Sequence, residues 1–341
     1  MLSFEIIKDP GEWEKMKDQW NDLLEKSITH VPFLRYEFLN QWWLTCGGGE
    51  WSKSDMLIII ARDDKKLVGI APFFYKSNDH GDPSLMLIGS YEISDYLDFI
   101  VLPEYLDQFM LDLFSYLTTS EVKKWQDIDL YNLLDYSPTL AAVEKASGLV
   151  GWKSETEVLQ KAPYITLPGD WDLYLKGIDK KQRHEIRRKM RRLAESGHPS
   201  RWYIVEKADD TEAETEAFLT LMDYDEEKKA FLTPAMRVQM RETMRCAFDT
   251  GCLNLSFLEI DGIKAAGYFS FYYLNRLWVY NSGMNRDFTE YSPGWVLLGY
   301  LLQWANNQKI DEFDFLRGDE NYKYKFGAID RSVVRMRVSR K

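Results

Sequence analysis

The segment Phe313-Asp314-Phe315-Leu316-Arg317-Gly318-Asp319-Glu320-Asn321-Tyr322-Lys323-Tyr324-Lys325-Phe326-Gly327 places two carboxylates, two lysines and two tyrosines directly after a run that reads as a strand ending at Gly318. Loops at strand ends are where chemistry concentrates. A carboxylate there, Asp319 or Glu320, can take a proton from an incoming amine or alcohol. The Lys323 ammonium or the Tyr322 hydroxyl can stabilise a tetrahedral oxyanion or protonate a leaving group. The same residue content also describes a surface ion-pair cluster.

Two further stretches offer groups for anions. Between Lys176 and Arg192 nine basic residues, Arg183 and Arg187 among them, face only Asp179 and Glu185, a local charge of +7. Ile186, Met190 and Leu193 recur at helical spacing, so one narrow stripe is buried and the basic faces lie in solvent or over a cleft. Arginine there offers a bidentate fork for phosphate, although a solvated helix face fits equally well. Tyr291-Ser292-Pro293-Gly294 reads as a helix start, with Ser292 as N-cap and Pro293 at the first helical position. Such a start carries partial positive charge and can hold a pyrophosphate, with Gly294 letting the anion approach.

The elements that must position these groups repeat. Met56–Tyr75 and Asn254–Tyr273 each read as strand, polar turn and strand. At an offset of 198, Asp63, Lys66, Gly69, Phe73 and Tyr75 align with Asp261, Lys264, Gly267, Phe271 and Tyr273. A strand, a helix and a strand follow in both halves: 85–89, 104–117 and 127–131 in the first; 277–281, 293–307 and 311–315 in the second. Three elements matching in order argue for a duplicated unit. Helices are expected before each hairpin, at 12–26 and 36–45, then at 180–195, 211–229 and 234–249. Pro163, Pro168 and Gly169 mark the join. The fold class expected is α/β (α+β), two tandem domains over 1–165 and 166–341, each a mixed, largely antiparallel sheet flanked by helices.

Composition narrows the function. The 341 residues carry a formal net charge of −11, and outside the basic helix the chain sums to −18, which argues against a broad nucleic-acid footprint. No apolar run approaches the roughly 20 residues of a membrane span. The four histidines and three cysteines show no zinc or Cys-x-x-Cys spacing, so no metal is expected, and reduced thiols fit a cytoplasmic protein. Gly47-Gly48-Gly49 lacks the following Gly-Lys-Ser/Thr of a nucleotide cradle, and no Gly-x-Ser-x-Gly elbow is present.

At the three blocks singled out, the span from about Asp170 to Val338 resembles the acetyltransferase-like domain of the CelD (cellulose-biosynthesis-associated) proteins, a branch of the GNAT acyltransferases. The blocks are Lys180-Lys-Gln-Arg183 with Arg187, Arg188, Arg191 and Arg192; Tyr291-Ser-Pro-Gly294; and Phe313–Gly327. They are also similar to the Fem-type peptidyltransferases, which carry two GNAT-like domains, use aminoacyl-tRNA and close on Phe-Lys-x-x-Phe-Gly. The resemblance implies an acyltransferase acting on a sugar, cell-envelope or exopolysaccharide precursor, with acyl-CoA (acetyl-CoA) as cosubstrate and an acyl-carrier protein or tRNA as alternative carriers. It implies Lys323 at the catalytic lysine, with Asp319, Glu320 and Tyr322 beside it. The donor is expected at Tyr291, Ser292, Gly294 and Arg286, and the acceptor at Arg183, Arg187 and Arg317. Two departures stand: Arg286–Gly294 lacks the Gln/Arg-x-x-Gly-x-Gly/Ala spacing of typical CoA sites, and no long helical arm is evident. The first half lacks the Arg-Gly-Asp-Glu…Tyr-Lys cluster and reads as a degenerate copy, a binding module without chemistry.

Overall fold

The computed structural model describes residues 2–52, 54–77 and 80–340. The chain forms two compact units, Met1–Gln160 with Ser332–Lys341, and Lys161–Arg331. The first holds β1 (Ser3–Ile7), β2 (Met56–Asp63), β3 (Lys66–Ser77), β4 (Pro83–Leu87), β5 (Ile100–Val101), β6 (Asp127–Leu134) and β7 (Lys153–Lys161). The second holds β8 (Tyr164–Thr166), β9 (Ser200–Ile204), β10 (Leu253–Ile260), β11 (Ile263–Tyr273), β12 (Arg276–Met284) and β13 (Glu312–Asp314). The last strand, β14 (Ser332–Ser339), returns to the first sheet, where it lies between β6 and β7 and runs antiparallel to β6. The division of the sequence at 165/166 assigns those residues to the second half; their β-branched side chains are instead buried against the first sheet's core, with Val333 and Val338 fully enclosed.

Both hairpins form. β2 pairs with β3 and β10 with β11, and the second turns on Asp261 and Gly262, both with positive φ, as a two-residue hairpin loop requires. In each unit a third strand adds antiparallel to the hairpin, β4 on β3 and β12 on β11. A helix then crosses over, Leu106–Tyr116 or Pro293–Asn307, and the chain returns as a parallel neighbour, β6 beside β4 and β13 beside β12. A parallel pair cannot be joined by a tight turn, so the crossover helix follows from the strand directions. The result is two mixed, largely antiparallel sheets flanked by helices. No helix among the described residues is long and apolar enough to cross a membrane.

Two local departures from the sequence expectation shape the second unit. The helix expected over 211–229 breaks into Ala208–Met222 and Glu226–Phe231, because Asp225 caps the second piece by accepting hydrogen bonds from the Glu227 and Lys228 amides. The strand expected to end at Gly318 stops at Asp314, since Leu316 (φ 58°) and Gly318 (φ 105°) turn the chain away. The second departure opens the sheet. β12 and β13 pair only at Arg276–Glu312, Leu277–Phe313 and Trp278–Asp314, whereas β12 stays paired with β11 as far as Met284. From Val279 onward no strand among the described residues lies on the β13 side of β12.

Candidate functional site

A cavity of about 290 Å³ lies in the second unit, lined by Ser282, Gly283 and Met284 from the unpaired end of β12. Helix Pro293–Asn307 contributes Gly294, Trp295 and Leu298 from its first two turns, and β11 contributes Tyr268. Tyr322 enters from the segment after β13, Arg286 from the turn after β12, and Tyr224, Asp225 and Lys228 from the segment around the short helix Glu226–Phe231. Gly283 is fixed by packing, because a Cβ there would stand 2.6 Å from the Leu221 backbone. At Gly294 a Cβ would meet, apart from its own turn and chain neighbours, only the Met284 sulfur among the described residues, at 3.6 Å, so there is open space beside that position.

Ser292, expected from the sequence to cap this helix, adopts the left-handed conformation (φ 52°, ψ 54°) instead and makes no side-chain cap, so the first-turn amides of Gly294 and Trp295 carry no cap of that kind. The Trp295 indole N–H is buried without a hydrogen-bond partner among the described residues, and the Lys189 ammonium lies 4.2 Å from the centre of its ring. Burial lowers the pKa of that lysine. An open helix start beside aromatic and cationic groups suits an anionic ligand.

Lys323 is buried, and its ammonium donates to the carbonyls of Phe315 (3.1 Å), Arg317 (3.0 Å) and Gly318 (2.9 Å). Its contact with the Glu320 carboxylate is 2.8 Å. An ammonium has three hydrogens, so this one is fully engaged in holding the 315–318 turn and in fixing Glu320. A donor open to an oxyanion, as the sequence suggests for Lys323, is not what this geometry provides. Tyr322 faces the cavity and meets Phe315 edge to face, ring centres 6.1 Å apart. Burial holds its phenol well above the usual pKa, with Tyr268 and Glu320 adding to the shift. The Tyr268 hydroxyl donates to the Gly294 carbonyl at 3.3 Å.

Nothing in the sequence singles out Lys228. Its ammonium donates to the carbonyl (2.5 Å) and hydroxyl (3.2 Å) of Ser282, both neutral, and it forms no ion pair among the described residues. Burial depresses its pKa, partly offset by Asp225 and Glu320 and reinforced by Lys323. At the offset of 198 Lys228 falls on His30, outside any helix of the first unit, so the repeat does not point to it. Tyr268 does leave a signal: at the offset of 198 it stands where the first copy has Ile70, a phenol where packing alone calls for an aliphatic group.

The structure thus brings Arg286, Gly294 and Tyr322 together at the cavity, with Glu320 close enough to act on Tyr322, Tyr268 and Lys228. The other sequence-predicted residues lie outside its lining. Asp319 is exposed, and its charge acts on Lys161 and Tyr324. Tyr291 packs beside His198, ring centres 5.4 Å apart. Arg183 donates to the carbonyls of Leu175 (3.3 Å) and Lys176 (3.5 Å), and Arg187 pairs with Asp172 at 3.2 Å. Arg317 is half-buried and meets Lys323 through its carbonyl. Among the described residues no cluster of His, Cys, Asp or Glu could hold a metal ion.

Comparison with known proteins bears on the same unit. Residues 180–324 match the family model described as the acetyltransferase (GNAT) domain. No curated protein matches the chain by sequence. Among solved structures, a conserved protein of unknown function from Bacteroides thetaiotaomicron VPI-5482 is similar over 100% of both chains, at 10% identity and a TM-score of 0.61. FemX is similar over 98% of this chain and 96% of its own, at 10% identity and a TM-score of 0.56. The C-terminal domain of a putative lysylphosphatidylglycerol synthetase from Agrobacterium fabrum is similar over 98% and 93%, at 9% identity and a TM-score of 0.56. At these identities the likenesses concern the fold. The stretch from the basic helix to Tyr324, with the cavity inside it, thus matches the acetyltransferase (GNAT) domain model, and the chain that carries it is an acyltransferase.

Proposed function

We propose that the Lys161–Arg331 unit moves an acyl group from an acyl-CoA thioester to an amine or hydroxyl of a sugar or cell-envelope precursor, as its CelD-like blocks suggest, in the cytoplasm. The reading is carried by the cavity where β12 and β13 part, with the uncapped start of helix Pro293–Asn307 on one wall. The open space above Gly294 fits a phosphate approaching the first-turn amides. In this reading Glu320, held by Lys323, accepts the proton released when the acceptor attacks the acyl carbon. Tyr322 donates a proton to the departing sulfur. Attack is direct, so no covalent enzyme intermediate is needed, and Trp295 and Leu298 exclude water from the acyl carbon.

Binding of acetyl-CoA, read as a rise in melting temperature, tests the donor. Gly294→Asp is the informative variant. A carboxylate in the first helical turn favours the helix but repels a phosphate, so it should keep the fold and abolish the rise. An equal rise in wild type and variant would remove the helix start from donor binding.

A second reading, a Fem-type transferase using aminoacyl-tRNA, is favoured by one observation. Lys180, Lys181, Arg191 and Arg192 are exposed and form no ion pair among the described residues, unlike Arg187 and Arg188 on the same helix. Filter binding of charged tRNA that weakens steeply with salt would select this reading over acyl-CoA.

A further inference from the structure

We infer that the acceptor is an amine that also carries a carboxylate, and that Lys228 receives that carboxylate. The inference rests on the cavity being the transfer site and goes further by naming the class of acceptor. Lys228 stands at the wall with its ammonium on the Ser282 carbonyl and hydroxyl, and among the described residues it has no ion-pair partner. Those two acceptors leave its third N–H free to face a ligand.

The two carboxylates that act on Lys228 are engaged elsewhere. Asp225 accepts from the Glu227 and Lys228 amides at 3.1 Å, and Glu320 pairs with Lys323 at 2.8 Å. A partly buried ammonium without an anion is costly, and a bound ligand that brings one relieves the cost. The same carboxylates complement an incoming amine. An acceptor with ammonium and carboxylate on one small skeleton can therefore place its nitrogen toward Glu320 and its carboxylate toward Lys228. The cavity of about 290 Å³ admits a molecule of amino-acid size.

The chemistry balances without a redox partner. The acceptor amine gives one proton to solvent on becoming neutral and forms the new C–N bond. The C–S bond of the donor breaks, Glu320 takes the second nitrogen proton, and the departing sulfur is protonated through Tyr322. The carboxylate on Lys228 is unchanged throughout.

The test compares acids with their own amides. Wild type, Lys228→Met and Lys228→Arg are screened calorimetrically against the amino acids of both hands and the matching amino-acid amides, with melting temperature as the check on folding. At least one acid should bind wild type, with its amide at least tenfold weaker. Lys228→Met should lose at least tenfold for the acid alone, and Lys228→Arg should recover part of it. The inference is overturned if no acid binds, if acid and amide bind alike, or if Lys228→Met binds the acid as wild type does.

A kinetic arm uses acetyl-CoA with hydroxylamine, an acceptor without a carboxylate. Equal slowing of Lys228→Met toward hydroxylamine and toward the amino acid would place Lys228 at the reacting carbonyl instead, and would also overturn the inference. The donor assignment fails separately, if acetyl-CoA leaves the wild-type melting temperature unchanged while an amino acid binds.

Discussion

Lys323 and Lys228 stand in different settings, the first tied to the 315–318 turn and the second at the cavity wall with only the neutral oxygens of Ser282 as hydrogen-bond partners among the described residues. Lys323 donates to three carbonyls and meets Glu320, so its removal strands buried acceptors. Lys323→Met should lower stability by about 1–3 kcal/mol and the melting temperature by several degrees, checked by calorimetry. Its effect on turnover should follow from a displaced Glu320. An unchanged melting temperature would contradict the structural role. Lys228 differs, because burial lowers its pKa below the ordinary 10.5. Between that lowered value and 10.5 the folded state binds fewer protons at this residue than the unfolded state. Stability contributed by this group therefore rises with pH through that window, and a penalty persists below it. The wild type should gain stability relative to Lys228→Met as pH is raised toward 10.5, measured by urea midpoints on the two proteins. A constant difference would show that Lys228 titrates normally.

At the scale of elements, two glycines separate packing from binding. Gly283→Ala would drive a methyl into the Leu221 backbone, pushing the Ala208–Met222 helix off β12, at a cost of roughly 3 kcal/mol or more. Gly294→Ala meets only the Met284 sulfur at ordinary contact distance and replaces a glycine within a helix, so stability should hold or rise slightly. Parallel melting curves decide both. The hairpins, the crossover helices and the parallel returns are legible in the sequence because each leaves local marks: strand runs, Asp and Gly turns, and a Pro-Gly helix start. The basic helix is equally plain, over Lys180–Ala194. The splay of β12 from β13 is not, since it arises from left-handed Leu316 and from Lys323 gathering carbonyls, neither of which alters an apolar pattern. Lys228 is hidden for a related reason. Its helix, Glu226–Phe231, is short and polar, and its role comes from Ser282, fifty-four positions away.

For the whole molecule, the sheet of the first unit includes a strand from the far end of the chain, whereas Lys161–Arg331 is one continuous stretch. A fragment spanning 161–331 should fold alone, with dispersed amide resonances. A fragment ending at 160 should not, because β6 and β7 would lose the strand between them and expose unpaired edges. Well-dispersed spectra from the shorter piece would refute this. Pairing of Asp127–Leu134 with Ser332–Ser339 also joins positions about two hundred residues apart, and such closures are slow. During synthesis the first unit must therefore wait, one sheet edge uncovered, while the ribosome makes the entire Lys161–Arg331 unit and then β14. The part made first matures last, and a pause or premature stop late in translation endangers the beginning of the protein rather than the Lys161–Arg331 unit.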